Sequence, residues 1–228
     1  MKRIWNDFFH LFFPDLCLLC KEPLTRTEEQ LCLSCLCNLP YTYHYKEKEN
    51  RLYQLLLGKA DVREASAWLW FEKGGMAQQL IHSLKYKENR SLGFHLGRMA
   101  ALEWKEAGLF ASADLLVPVP LHRKRKRKRG YNQAEEIARG IASVYPVPVY
   151  PDLLKKTRMT GSQVKKGFYE RWEDNNPFIL TENIPASIRH ILVVDDVITS
   201  GATISHCVQT LQVIPEITIS IASLCQTR

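Results

Sequence analysis

The 228-residue chain fits one average domain, or one domain with a small appendage, and its 46% apolar and 24% charged residues match an ordinary soluble protein. No apolar run approaches the roughly 18 residues of a membrane span, and the composition is neither collagen-like nor that of a disordered chain. The net charge of +7 has one source: the unbroken run Arg123-Lys124-Arg125-Lys126-Arg127-Lys128-Arg129 holds seven basic residues, without which 24 face 24, so a polyanionic partner is expected at one place.

In chain order, Trp5, Phe8, Phe9, Phe12 and Phe13 fall at helical spacing and predict a helix with an aromatic face over residues 4–13, stopped by Pro14. A helix docked on the main domain is the plainer reading of that face, and a membrane-surface anchor the alternative. Asn6, Asp7 and His10 interrupt the apolar stretch and no small-residue cleavage site precedes Pro14. The chain is therefore expected to be cytoplasmic, its thiols reduced or bound to metal. Residues 14–40 form a cysteine-rich module and the polar residues 41–50 a linker. A short helix is expected over 52–57, a strand over 65–71, and helices near 76–84 and 92–105. From Asp114 onward, strands (115–118, 190–194, 217–224) alternate with helices (132–144, 203–213), residues 147–154 are extended, and a polar loop and helix occupy 155–175. This alternation predicts an α/β fold with a mostly parallel sheet covered on both faces.

Cys17-Leu-Leu-Cys20 and Cys32-Leu-Ser-Cys35 are two C-x-x-C pairs separated by 11 residues. Such knuckles turn two sulfurs toward one ion, and two of them supply the four thiolates of a closed, structural zinc site. Reduced core cysteines would not explain the pairing, and a redox pair lacks its strand-helix context.

The segment Ile191-Leu-Val-Val-Asp195-Asp196-Val-Ile-Thr199-Ser200-Gly201-Ala202-Thr203 is a buried strand, two acids, then a loop of small and hydroxyl residues opening a helix. Ligands bind at the carboxyl ends of strands in open α/β sheets, and the loop amides and helix N-terminus make an anion site. Thr199, Ser200, Gly201, Ala202 and Thr203 are expected to hold a phosphate, and Asp195 and Asp196 to take hydroxyls or magnesium; a ribose 5-phosphate fits both. A Walker B reading lacks its G-x-x-x-x-G-K-[ST], and a dinucleotide site lacks its G-x-G-x-x-G.

This element resembles the PRPP (phosphoribosyl pyrophosphate) loop of type I phosphoribosyltransferases. The resemblance implies that the paired acids contact the ribose hydroxyls while the loop wraps the 5-phosphate. Val117-Pro-Val-Pro-Leu-His122, Arg129-Gly-Tyr-Asn132-Gln133-Ala134, Leu84-Lys85-Tyr86, Arg158-Met-Thr160-Gly-Ser-Gln163 and the four-cysteine module look like the ComF family. That resemblance covers essentially the whole chain. It implies a competence-associated protein of the DNA-uptake machinery, or a relative in the GntX-like branch. Where the family carries Arg-x-x-Asn, this chain has Arg171-Trp-Glu-Asp174. The organisation expected is an N-terminal helix and zinc module over residues 1–45 and a type I phosphoribosyltransferase-like domain over 46–228.

Residues 157–167 lie where type I enzymes keep a flexible catalytic loop, so Arg158, Thr160, Gln163, Lys165 and Lys166 are expected to close on the diphosphate; an ordinary surface loop is the alternative. Arg129 and Asn132, on either side of Gly130 and Tyr131, are expected at the small-molecule site. The basic run is expected as a loop after the strand 115–118, its seven cations repelling one another and not all buried. It sits on the same sheet edge as the phosphate cradle if the strands 115–118 and 190–194 are parallel neighbours. Its remaining cations, Arg123, Lys124, Arg125, Lys126, Arg127 and Lys128, would track a nucleic-acid backbone through sequence-independent contacts. Tyr131 would either stack on a base or serve packing. Two functions follow: a phosphoribosyltransferase binding PRPP with magnesium, or a non-catalytic adaptor. The adaptor would bind single-stranded DNA and dock on a DNA-translocating, helicase-like ATPase, reaching the membrane only through that machinery.

Overall fold

The computed structural model describes residues 14–86, 89–157 and 176–228. The helix expected over 4–13 lies outside the described residues, as do Arg158, Thr160, Gln163, Lys165 and Lys166 and the stretch from Arg171 to Asp174. Four strands form one parallel sheet: β1 (Ala65–Phe71), β2 (Leu115–Pro118), β5 (His190–Ile198) and β6 (Thr218–Thr227), in the order β1-β6-β5-β2. A separate antiparallel pair, β3 (Leu154–Lys156) with β4 (Phe178–Leu180), flanks residues 158–175.

Alternation along each strand divides the core in two. Leu116, Leu192, Val194, Ala222 and Leu224 face one layer, made of α3 (Met76–Tyr86), α4 (Arg90–Glu106) and α6 (Gln133–Ala142). Leu115, Val117, Ile191, Val193, Ile219 and Ile221 face the other, made of α2 (Arg51–Leu56), α7 (Ala202–Leu211) and the β3–β4 pair. A sheet buried on both faces needs apolar residues at both parities, which is why its strands read as continuous apolar runs. Helices α4 and α6 touch through their backbones. A Cβ on Gly97 would collide with the Ile137 carbonyl, and one on Gly140 with the Phe94 carbonyl.

The cysteine module, whose short helix α1 spans Leu33–Cys37, contributes Cys17, Leu31 and Leu39 to the α3–α4–α6 side of the core. Polar contacts fasten it to α4: Glu29 Oε2 lies 2.8 Å from His95 Nδ1, and Gln30 Nε2 donates to Ser91 Oγ at 3.3 Å.

Three local expectations need correction. Residues 41–50 are not a free linker: Thr42 N donates to Trp68 O at 3.0 Å and Trp70 N to Pro40 O at 2.7 Å, which covers the open edge of β1. Asn50 then caps α2 through Oδ1, and its amide donates to the carbonyls of His44, Glu47 and Ala65. The seven-cation run is a helix, α5 (Arg123–Arg129), not a loop. His122 Nδ1 accepts from Lys124 N at its start, and Gly130 ends it with a positive φ of 76°. Finally, β5 continues past the two acids to Ile198, because backbone pairing with β6 is indifferent to the side chains it carries. Among the described residues no helix is long and apolar enough to cross a membrane.

Candidate functional site

Strands β2 and β5 are parallel neighbours, with Pro118 opposite Val194 and Val119 N donating to Val194 O at 2.8 Å. Their carboxyl ends therefore lie side by side. One leads into the cationic helix α5, and the other into the acids and the loop before α7. This topology meets the condition on which the sequence reading joined the basic run to the phosphate cradle.

Consecutive residues of a strand project to opposite faces, so the two acids have different neighbours. Asp196 Oδ2 forms an ion pair of 2.8 Å with Lys85 Nζ, from the last turn of α3. Asp195 lies on the other side, toward Lys156 and Cys207, and its Oδ1 accepts from Asp196 N at 2.8 Å. Burial, then the charge of Asp196, raises the Asp195 carboxyl from 3.8 to about 8, against the Asp196 amide, Lys85 and Lys156. Burial lowers the Lys156 ammonium, with Arg125 acting in the same direction and Asp195 opposing. Lys85 thus pairs with Asp196 and also acts on Asp195, on which Lys156 acts more weakly. Neither lysine was assigned a role from sequence. Lys85 was visible only within Leu84-Lys85-Tyr86, and Lys156 carried no signal.

A stability consequence follows. An acid whose pKa rises on folding keeps its proton in the native state while the unfolded chain loses it. Stability therefore falls as pH climbs from about 4 to about 8. Asp195→Asn keeps the oxygen that accepts the Asp196 amide and removes the titration. At pH 7.5 it should stabilise the free protein by on the order of 2 kcal/mol, raising Tm by about 4–8 °C. The two melting curves should converge toward pH 4. A variant that melts below the parent at pH 7.5 would contradict this assignment.

The loop after β5 exposes Thr199 and Ser200. Gly201 caps α7 with a positive φ of 79°, and a Cβ there would sit 3.1 Å from Leu56 Cδ2. Only glycine takes that conformation without strain. The N-terminus of α7 has no side-chain cap, Ala202 N reaches only Ser200 Oγ at 3.5 Å, and Thr203 is half-buried. Lys59 Nζ donates to Ser200 O at 3.4 Å, adding a cation that no spacing rule announced. An arrangement of helix N-terminal amides, hydroxyls and a lysine can hold an anion.

On α5, Arg123 through Lys128 are exposed. Residues three and four apart on a helix are neighbours, so these like charges destabilise it. The relief given by Glu135, 3.9 Å from Lys126 Nζ, is slight. Arg129 Nη1 donates to Gln133 Oε1 at 2.9 Å, and its guanidinium lies 5.8 Å from the Tyr86 ring centroid. Tyr131 is buried and its hydroxyl donates to Leu84 O, so it serves packing. Asn132 is also buried, its amide donating to Val119 O at 3.0 Å, which ties α6 to the end of β2.

At the N-terminus, the sulfurs of Cys17, Cys20, Cys32 and Cys35 all lie within 4.8 Å of one another. Tetrahedral zinc with Zn–S near 2.3 Å requires S···S of about 3.8 Å, and Cys20 and Cys32 stand 3.6 Å apart. The amides of Cys32 and Cys35 donate to the sulfurs of Cys17 and Cys32, each at 3.4 Å. Burial raises the Cys17 thiol, but the amides of Cys32, Cys20 and Leu19 outweigh it and leave the pKa lowered to about 6. Burial and the three neighbouring thiols push Cys35 up to about 12. The cluster is compatible with a structural zinc. Cys207 and Cys225 are buried, and burial raises both thiols, in keeping with core positions.

No family model matches the chain. It is 27% identical to the DNA utilization protein YhgH of Shigella flexneri over 240 residues, covering 95% of this chain and 99% of the relative. The protein of that name from Escherichia coli K12 matches to the same extent. Competence protein F of Haemophilus influenzae is 26% identical over 206 residues, or 86% of this chain and 90% of the relative.

Proposed function

From the ComF-family assignment that these relatives support, we propose that the protein binds PRPP at the β5–α7 edge and single-stranded DNA along α5, in the handling of DNA during natural competence. The observation that carries this reading is the adjacency of β2 and β5, which brings an acid pair, an uncapped helix N-terminus and a cationic helix to one sheet edge. In this reading the amides and hydroxyls of residues 199–203 hold the 5-phosphate, with Lys59 beside them. Asp195 and Asp196 take the ribose hydroxyls.

Magnesium would be held by one acid of this pair, since strand alternation turns the two carboxylates to opposite sides of β5. The donors are hard carboxylate oxygens, and a dication would relieve the repulsion from Asp196 that helps keep Asp195 protonated. It would supply positive charge to offset the diphosphate. Arg129 is the protein cation assigned to that group, with Arg158, Gln163 and Lys165 proposed as the closing loop. Zinc at the four cysteines is proposed as structural, since four thiolates leave no open coordination position.

The printed names of the relatives speak of DNA utilization and competence; the place beside a DNA-translocating ATPase on the cytoplasmic side is part of the proposal. Titration calorimetry tests the ligand site. PRPP should bind in the presence of magnesium, and Asp195→Asn combined with Asp196→Asn should weaken it by about 100-fold or more, two charge-assisted contacts being lost. Unchanged affinity in the double variant would refute the ribose assignment. Pyrophosphate release with a panel of bases divides a transferase from an adaptor that holds the ligand without turnover.

A further inference from the structure

Tyr86, the last residue of α3, is 59% exposed. Its ring rests on His82, one helical turn back, with centroids 4.8 Å apart and planes tilted by 37°. The neighbouring Lys85 is held by Asp196. The Arg129 guanidinium lies over the ring, 5.8 Å from its centroid, a loose cation–π contact at the edge of its range that an incoming base would displace. Arg129 is also the last residue of α5, so the ring stands at the end of the row of exposed cations. The other tyrosine of this corner, Tyr131, is buried and its hydroxyl is bonded to Leu84 O.

A single exposed aromatic is unremarked on most surfaces. Here it is braced on one side by an imidazole and stands at the end of a charged track. Cationic grooves that hold single strands combine backbone contacts with aromatic rings on which bases stack, because every base offers a flat π-face. We infer that Tyr86 is a stacking platform for a base of a single-stranded nucleic acid whose phosphates run along α5. The inference rests on the proposed grip of α5 on a polyanion, and it adds a contact of a different kind, apolar and insensitive to salt. His82 acts as a positioning residue that fixes the ring plane.

The test uses the full-length protein and two fluorescent probes of equal length, oligo-dT and a chain of abasic deoxyribose phosphates, each titrated at several salt concentrations. Tyr86→Ala should weaken oligo-dT binding by about 10-fold and leave the salt slope unchanged, since no phosphate contact is lost. Tyr86→Phe should bind oligo-dT like the parent. The parent should bind the abasic chain about 10-fold more weakly than oligo-dT, and Tyr86→Ala should change that binding little. Exposure of the side chain at a helix end makes loss of folding no obstacle, and far-ultraviolet dichroism checks it. Equal oligo-dT affinity in the parent and Tyr86→Ala, with a steep salt slope in both, would overturn the stacking role and leave the grip of α5 standing. Absence of salt-dependent binding in the parent would overturn both.

Discussion

Cys32→Ser is expected to cost the protein one bound zinc per chain and about 4 kcal/mol or more of stability, a fall in Tm of about 8–16 °C. Structural zinc gives isolated finger peptides about 10–16 kcal/mol of apparent binding energy, which is folding energy for residues with no other core. The module here has other anchors. Cys17, Leu31 and Leu39 share the larger core, and Glu29 and Gln30 meet His95 and Ser91 on α4, so only part of that energy should be lost. Losing the metal frees thiols that sit within 4.8 Å of one another, and they should then react readily with a thiol reagent. The protein as purified should contain zinc and protect these four thiols until it is denatured or chelated. Metal analysis well below one zinc per chain, with the four thiols reactive in the native state, would refute the site.

Neutralising α5 should have the second large effect. Replacing Arg123 to Lys128 by glutamine, while keeping Arg129, removes six charges, and the helix should survive because glutamine is a good helix former and the like-charge neighbours disappear. Each phosphate contact on a single strand contributes about 0.7 to the salt slope. If half of the six cations make such contacts, the slope should flatten by about 2 and affinity near physiological salt should fall by about 50-fold. PRPP binding should survive, since the β5–α7 loop and Arg129 are intact. The converse pattern, DNA binding unchanged and PRPP binding lost, would give the whole helix to the diphosphate.

What could be read in the sequence follows the range of the interactions that encode it. The four-cysteine cluster was legible because knuckle geometry is set within a few residues, so spacing alone carries it. The parallel sheet was legible because strands buried on both faces, such as Leu115–Pro118 and Ile191–Val194, must be apolar at every position. The acid pair and its loop were legible as a run of consecutive residues, but their faces were not. Strand alternation gives the two acids different surroundings, Asp196 an ion pair with Lys85 and Asp195 the field of both Lys85 and Lys156, and those lysines come from distant elements. Lys59, 141 residues from Ser200, is hidden for the same reason.

Helix α5 was misread as a loop because charge repulsion weighed more in that reading than its caps. His122 and Gly130 hold its two ends, and its arginines and lysines favour helical backbone. The polar residues 41–50 were misread because polarity was taken for exposure. Asn50 and His44 are buried there, bonded to the β1 backbone at Ala65 O and Ala67 N.

The most direct test of the ligand site is hydrogen exchange of the peptide spanning residues 199–205, with and without PRPP and magnesium. A phosphate held by the α7 N-terminus should slow exchange of these amides, which lack side-chain caps in the free protein. The slowing should require magnesium and disappear in the Asp195→Asn, Asp196→Asn variant. Exchange in this peptide that is unaltered by saturating PRPP and magnesium, with protection instead confined to α5, would contradict the account and place the anion on the cationic helix alone.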